Sequence, residues 1–234
     1  MQSERLRRSW LTPARRATIS RQLAEGLAFL HGLPGPRVIH RDLKPNNVLL
    51  EAAPSLGICD FGLSRILAGN DVQSSSAAGH AFWMAPELLR AQPYDEKADV
   101  YSYGVILYQL AYWVDDQLYG GLNKAQVDFQ VVHGILRLQD RLPSGIDPAV
   151  QALVRDCVDE DPRNRPSMSQ VLERLASVRE LSQPGHGGTG SVHGGSAAAV
   201  TATAGGHGDG LARPAAGAAT VAVAGGDPEH HRQV

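Results

Sequence analysis

The chain has 234 residues, of which 43% are hydrophobic, and a net charge of -2, values that are ordinary for a globular protein. This balance argues against binding to nucleic acid, and no apolar run is long enough to span a bilayer. The two cysteines, Cys59 and Cys157, lie far apart and outside any CxxC pair, which predicts an intracellular and most simply cytoplasmic location and argues against a disulfide framework or a zinc site.

The first predicted element is a helix that begins at Thr12-Pro13, because a capping hydroxyl followed by proline is a helix start. Residues 1–10 have no apolar core and are not a secretory signal. The arginines and serines up to Arg21 loosely resemble an organelle transit peptide, but that stretch runs straight into this helix. Apolar residues then recur at spacings of four, four and three, which gives the helix one apolar face: Ile19, Leu23, Leu27 and Leu30.

A loop rich in glycine and proline leads to the segment His40-Arg41-Asp42-Leu43-Lys44-Pro45-Asn46-Asn47. The segment holds an acid, a lysine two positions on and an amide five positions on. That combination suits a base, a cation and a metal ligand presented to one phosphoryl group. Residues 48–50 and 56–59 are then predicted to pair as a short buried hairpin.

The second half of the chain is predicted to be mainly helical. Asp60-Phe61-Gly62 stands eighteen residues after Asp42 and precedes a polar segment, through Gly79, that is predicted to be a mobile loop. Trp83-Met84-Ala85-Pro86-Glu87 closes that loop. Residues 99–110 are apolar nearly all round, which predicts a buried helix, and further helices are predicted over 124–133, 148–158 and 167–181.

Residues 182–234 differ in composition from the rest of the chain. They hold about half of the 25 glycines, many alanines and few large apolar residues. Such a segment cannot bury enough surface to offset its ordering entropy, so a disordered tail is predicted. The tail contains a GxGxxG match at 185–190, which we interpret as an accident of composition because no strand precedes it. His230-His231 has no neighbours that would support a metal site.

The motifs named above, followed by Asp161-Pro162-Arg163-Asn164-Arg165-Pro166, resemble the eukaryotic protein kinase family over roughly residues 1–181. The sequence of residues 83–87 and 98–110 is most similar to that of the tyrosine-kinase-like group, whose Raf-like and mixed-lineage-like members phosphorylate serine and threonine. Lys44 supports this group, since tyrosine kinases usually carry another residue there. The resemblance implies a mainly α fold, the C-terminal lobe of a kinase domain with short β-hairpins, in a family whose full fold is α+β.

The resemblance also implies ATP and Mg²⁺ as cofactors and a protein with serine or threonine as the substrate. Asp42 would accept the proton of the substrate hydroxyl, and Lys44 would neutralise charge on the γ-phosphate. Asn47 and Asp60 would ligate Mg²⁺ between the phosphates. Leu49 would form the floor under the adenine ring or, as the alternative, would be an ordinary core leucine.

Other matched residues are expected to support this site. Glu87 and Arg165 would form a buried ion pair that joins the end of the activation segment to the late helices. Asp99, on the central helix, would hold the backbone of the His40 loop. His40 and Phe61 would belong to an aromatic stack that is assembled in the active state. Arg41, beside Asp42, would bind a phosphorylated activation segment. Ser74, Ser75 and Ser76 are the candidate phosphate acceptors; the alternative is that they form a solvated serine-rich loop. The residues with these structural roles are His40, Arg41, Phe61, Gly62, Glu87, Asp99 and Arg165.

Three features bear on activity. His80 stands where kinases of this type usually carry threonine, which leaves the hydroxyl specificity open, and Cys59 would line the nucleotide site or be a small core residue. Only 39 residues precede His40, and no lysine precedes Lys44. The glycine-rich lid, the strand lysine and the helix glutamate of the N-terminal lobe are therefore expected to be missing from this sequence.

Two functions follow from this reading. The first is a serine/threonine protein kinase, represented by a partial domain. The second is a catalytically inactive, pseudokinase-like binding or scaffold module. In either case the upper face of the lobe would be apolar and open to a partner protein.

Overall fold

The computed structural model describes residues 10–34, 37–50, 56–67, 82–112, 118–142, 146–178, 181 and 221–222. Within these ranges no helix is long and apolar enough to cross a membrane. The candidate phosphorylation sites, His80, the GxGxxG match and the tail histidines lie outside the described residues, so those predictions stay untested.

The first helix, α1, spans Pro13–His31 and begins as predicted. The Thr12 hydroxyl accepts the N–H of Arg15 at 3.3 Å, and proline occupies the first helical position, where no N–H is needed. The four predicted apolar positions are all buried. The side chain of Arg16 is buried as well, and its guanidinium donates to the carbonyl of Leu110 at 2.7 Å.

Two small antiparallel sheets hold the loops that follow α1. Strand β1 (Arg37–Ile39) pairs with β4 (Arg65–Leu67), and β2 (Val48–Leu50) pairs with β3 (Leu56–Ile58). The loop that contains Asp42 joins β1 to β2, and the loop that contains Asp60 joins β3 to β4. The two pairings therefore bring both loops to the same end of the strands.

The remaining helices form the body of the domain. They are α2 (Pro86–Leu89), α3 (Lys97–Tyr112), α4 (Lys124–Val132), α5 (Pro148–Cys157) and α6 (Met168–Leu175), with 3₁₀ turns at Pro45–Asn47, Phe61–Leu63, Leu138–Arg141 and Pro162–Asn164. Helix α3 is buried along nearly its whole length, as its apolar composition predicts. It packs against α1 and α5, and the Tyr103 hydroxyl donates to the carbonyl of Ser20 at 3.1 Å.

Helices α3 and α5 approach each other closely at one glycine. A Cβ atom on Gly104 would lie 2.6 Å from Cβ of Cys157 and 2.8 Å from Cγ1 of Val158, closer than packed atoms allow. The Cys157 side chain is fully buried here, and burial raises the pKa of its thiol to about 12. Cys157 therefore stays protonated and serves as a core residue.

Several sequence predictions differ from the structure. The β1–β4 pair was not predicted, because residues 65–67 were assigned to the mobile loop and a three-residue strand carries no readable period. Strand β2 was predicted to be buried, yet Leu49 and Leu50 are 45% and 41% exposed. The last helix was predicted to run to Leu181 but ends at Leu175. Leu181 lies beside the start of α1, where its N–H donates to the carbonyl of Pro13 at 3.1 Å.

The predicted disordered tail also differs at two residues. Val221–Ala222 forms a strand, β5, that pairs antiparallel with β3, with Val221 opposite Ile58. The edge of β3 that does not face β2 offers backbone donors and acceptors, so a short extended segment can pair there whatever its wider composition. The rest of 182–234 lies outside the described residues.

Gly104→Ala is expected to destabilise the fold. In a helix the change from glycine to alanine normally stabilises by about 1 kcal/mol, whereas overpacking a tight core costs about 1–3 kcal/mol. We therefore expect the free energy of unfolding of the 234-residue chain to fall, as measured by denaturant titration. Glu25→Ala, on the exposed face of α1, is the control and should leave the midpoint nearly unchanged. A higher midpoint for Gly104→Ala would contradict the close packing.

Candidate active site

The loop between β1 and β2 gathers three of the predicted site residues. Nζ of Lys44 lies 2.5 Å from Oδ2 of Asp42, and the side-chain amide of Asn47 donates to Asp42 twice, at 2.8 Å to the carbonyl and at 3.3 Å to Oδ2. All three residues are buried. Ile39 and Leu43 are fully buried on either side of Asp42, so the hydrophobic core fixes the position of this acid.

Proline determines how the lysine and the asparagine reach the same carboxylate. Pro45 begins the 3₁₀ turn, and the N–H of Asn47 donates to the carbonyl of Lys44 at 2.9 Å. Proline fits this first position because its φ is already turn-like and it has no N–H to satisfy. The turn reverses the chain so that Lys44 and Asn47 both face back toward Asp42.

Asp60 lies beside this cluster on the neighbouring loop. The N–H of Cys59 donates to the carbonyl of Asn47 at 3.0 Å, which places the next residue, Asp60, adjacent to the asparagine. Asp60 is exposed and has a left-handed backbone with φ of 63°. That conformation is costly for a residue other than glycine, and it occurs preferentially at functional sites.

The oxygen ligands at this site fit Mg²⁺. The Nδ2 of Asn47 is committed to Asp42, so Oδ1 is the atom of that amide that can ligate a cation, and Asp60 supplies a carboxylate. No group of three or more His, Cys, Asp or Glu side chains able to hold a metal occurs among the described residues. Mg²⁺ needs no such cage, because it binds through one or two protein oxygens together with phosphates and water.

Leu49 and Cys59 are both partly accessible to solvent, as residues that line a nucleotide site must be. Leu49 is 45% exposed on β2, so the alternative that it is an ordinary core leucine is wrong. Cys59 is half-buried, and its thiol lies 3.5 Å from the carbonyl of Asn47. An exposed apolar side chain two residues after Asn47 is compatible with an adenine ring, and that role stays a prediction.

The backbone of the Asp42 loop is held by one buried carboxylate. Asp99, at the start of α3, has zero exposure and accepts the N–H of His40 at 2.8 Å and that of Arg41 at 2.9 Å. Burial alone would raise the pKa of Asp99, but the hydrogen bond and charge of His31, together with the two backbone donors, lower it overall. The Asp99 carboxylate is therefore ionised at neutral pH and binds both amides.

The rings of His40 and Phe61 link the two loops. Their centroids are 4.9 Å apart with planes at 58°, and Nε2 of His40 lies 3.0 Å from the carbonyl of Cys59. Gly62 follows Phe61, and a Cβ atom there would lie 3.3 Å from Oδ1 of Asp60. The contact between His40 and Phe61 that the resemblance implies is thus present, and it connects the Asp42 loop to the Asp60 loop.

Arg41 is buried rather than extended into solvent. Its backbone is left-handed with φ of 68°, its guanidinium lies 5.1 Å above the ring of Tyr94, and it donates to the carbonyl of Leu63 at 3.2 Å. Nε of Arg41 and the hydroxyl of Tyr94 are buried without a partner among the described residues. The segment that Arg41 was predicted to meet when phosphorylated lies outside those residues.

Glu87 and Arg165 form the predicted buried ion pair. The guanidinium donates to both carboxylate oxygens, at 2.6 and 2.8 Å, and to the carbonyls of Asp159, Lys97 and Glu160. All its donors are therefore directed at acceptors, the geometry that a buried arginine needs.

Three supporting residues were not found from the sequence. His31 bonds Asp99, the Ser102 hydroxyl donates to the carbonyl of Trp83 at 2.7 Å, and the Tyr119 hydroxyl donates to that of Phe82 at 2.9 Å. The last two tie the segment before Glu87 to α3 and to the turn before α4. Each contact joins residues far apart in sequence, so no local pattern indicates it.

Comparison with known proteins gives a consistent result. A family model described as the protein kinase domain matches residues 2–175. The chain is 40% identical over 177 residues to the serine/threonine-protein kinase CTR1 of Arabidopsis thaliana, covering 76% of this chain and 21% of that protein. It is 40% identical over 174 residues to the probable serine/threonine-protein kinase SIS8 of the same plant, covering 74% and 16%.

A third relative has a broader stated specificity. The dual specificity protein kinase shkD of Dictyostelium discoideum is 36% identical over 166 residues, covering 70% of this chain and 21% of that protein. The chain thus spans about a fifth of the length of the curated relatives it matches.

Glu87→Gln is expected to lower the free energy of unfolding by about 3 kcal/mol, the lower end of the range for a broken buried ion pair. The substitution keeps the size of the side chain but leaves the Arg165 charge opposite a neutral amide, while three carbonyl acceptors remain. Denaturant titration measures the change. Asp161→Asn, at the exposed pair with Arg163, is the matched control and should have little effect. Equal effects of the two substitutions would contradict the inferred role of the buried pair.

Proposed function

Because the chain belongs to the protein kinase family and resembles its tyrosine-kinase-like serine/threonine group, we propose that it carries the C-terminal-lobe half of the active site of a serine/threonine protein kinase. The reaction is transfer of the γ-phosphoryl group of ATP to a protein hydroxyl. The kinase portion extends over residues 1–181, and 182–234 is a tail outside it. The burial of Leu181 against the start of α1 supports that boundary.

The observation that carries this proposal is the cluster of Asp42, Lys44 and Asn47. An acid held within 2.5 Å of an ammonium group and within 3.3 Å of an amide has a fixed orientation. The energetics of phosphoryl transfer are set mainly by positioning and by stabilisation of charge, so fixed orientation is what the reaction requires of a protein.

Each residue then has one task. Asp42 accepts the proton of the substrate hydroxyl, and Lys44 offsets negative charge on the oxygens of the transferring group. Asn47 Oδ1 and the Asp60 carboxylate hold Mg²⁺. Bound Mg²⁺–ATP supplies the phosphoryl group and the metal charge that screens it. Leu49 forms an apolar floor for the adenine ring.

An inactive binding module is the second candidate. The observation that favours it is the exposure of large apolar side chains, with Leu49 at 45% and Leu50 at 41% on β2 and Phe29 at 56% on α1. A contiguous patch of exposed apolar side chains marks a surface for binding another protein. A partner protein could cover them without any phosphoryl transfer, so the two candidates are separated by activity.

Asp42→Asn is expected to lower kcat about 10²–10⁴-fold, because the amide cannot accept the proton. Radiolabel transfer from ATP to a generic serine/threonine substrate measures it. Asp140→Asn, at an exposed residue in the 3₁₀ turn before α5, is the matched control and should keep full activity. No Mg²⁺-dependent transfer by the unsubstituted protein, with nucleotide binding retained, would favour the binding module.

The polypeptide of residues 1–234 is expected to transfer phosphate poorly on its own. It has no lysine before Lys44, so the clamp on the α- and β-phosphates that the family uses is not supplied by these residues. A nucleotide on an open floor also stays in contact with water, which weakens electrostatic stabilisation. A kcat of about 1–100 s⁻¹, the usual range of protein kinases, would refute this expectation.

A further inference from the structure

The histidine at the end of α1 contacts the carboxylate that holds the Asp42 loop. Nε2 of His31 lies 3.0 Å from Oδ2 of Asp99, and the same oxygen accepts the N–H of His40 at 2.8 Å. The side chains of His31 and Asp99 are 8% and 0% exposed. We infer that His31 is a positioning residue: its Nε2–H donates to Asp99, keeps this carboxylate ionised and thereby keeps both loop amides bound to it.

The physical need for such a donor follows from burial. An ionised carboxylate without solvent must be compensated by donors, or it takes up a proton. Burial is the largest influence on the pKa of Asp99 and raises it, and the hydrogen bond from His31 is the largest influence that lowers it. If Asp99 were protonated, its O–H would take one acceptor position, and the N–H of His40 or of Arg41 would lose its partner.

Other charged groups around Asp99 do not replace His31. On β1, Arg37 is bound to both oxygens of Glu96, at the start of α3. The guanidinium of Arg41 lies over Tyr94, and the ammonium of Lys97 donates to the carbonyl of Arg165. The ring of His40 faces the carbonyl of Cys59. Among the described residues, His31 is therefore the ionisable side chain that hydrogen-bonds to this carboxylate.

The consequence for the site lies one residue further along the loop. Arg41 has a left-handed backbone, a conformation that persists only where surrounding contacts impose it. Its N–H bond to Asp99 is one of these contacts, and Asp42 follows it directly. The N–H of Asp42 also points to Nδ1 of His40 at 3.3 Å. Loss of the Asp99 acceptor would therefore change the orientation of Asp42. The effect of that change on phosphoryl transfer rests on the proposed function.

Two substitutions of His31 separate a donor from a packing group. His31→Gln can place an N–H where Nε2 lies, whereas His31→Leu fills the space without a donor. In the 234-residue chain, the ¹³C carboxyl resonance of Asp99 reports its ionisation. We expect the titration midpoint to shift upward in His31→Leu and to shift much less in His31→Gln. Amide exchange at His40 and Arg41 should become about tenfold faster, or more, in His31→Leu alone.

His133→Leu is the matched control, because His133 is exposed and contacts the carbonyl of Phe129 in its own helix. It should change neither the Asp99 midpoint nor exchange at the two loop amides. Equal midpoint shifts in His31→Gln and His31→Leu, or no shift in His31→Leu, would overturn the inference. If His31→Leu fails to fold, the ¹⁵N resonance of His31 in the unsubstituted chain decides: Nε2 must carry a proton, and an unprotonated Nε2 overturns the inference.

Phosphoryl-transfer activity tests the link to catalysis. His31→Leu should lower kcat about tenfold or more with KM for ATP unchanged, and His31→Gln should keep most of kcat. An unchanged kcat together with a shifted Asp99 midpoint would overturn the positioning role. An inactive unsubstituted protein would refute the proposed function and leave the outcome at Asp99 intact.

Discussion

A buried negative charge at Asp99 is the constraint on which the site depends. A carboxylate with no exposure persists only if donors surround it, and here the donors are two backbone amides of the Asp42 loop and the imidazole of His31. The need to satisfy this charge fixes the conformation of the loop, including the left-handed residue before Asp42. On the proposed function, the acid that accepts the proton is therefore oriented through the backbone of its own loop.

The helices supply the rigidity that such an arrangement requires. Helix α3 begins at the Asp99 end, runs through the core between α1 and α5, and comes close enough to α5 that only glycine fits at residue 104. At the other side, Arg165 joins the segment that ends in Glu87 to the late part of the chain. Site residues on loops thus rest on elements that cannot shift without losing buried contacts.

The described residues supply the reacting groups of the proposed site. Asp42, Lys44, Asn47 and Asp60 provide an acid, a cation and oxygen ligands, whereas the apolar side chains of β2 face outward. Phosphoryl transfer depends on charge stabilisation in a site that excludes water, so the proposed function requires a further surface that covers these groups. The described residues therefore account for the positioning of the reacting groups more fully than for the enclosure of the nucleotide.

The sequence alone determined the family and most of the helices and indicated the candidate site residues, because these rest on residue types at fixed short spacings: an acid, a lysine and an asparagine around a proline, a capped helix start, and a run that is apolar all round. It also indicated the Glu87–Arg165 pair through the resemblance. It did not indicate β4, the exposure of β2, the early end of α6, or the roles of His31, Ser102 and Tyr119. Those features depend on contacts between segments tens of residues apart, as with His31 and Asp99, which are 68 residues apart. Only the tertiary structure decides which distant donor meets a buried charge, because that pairing is set by how whole helices pack and not by any local period in the sequence.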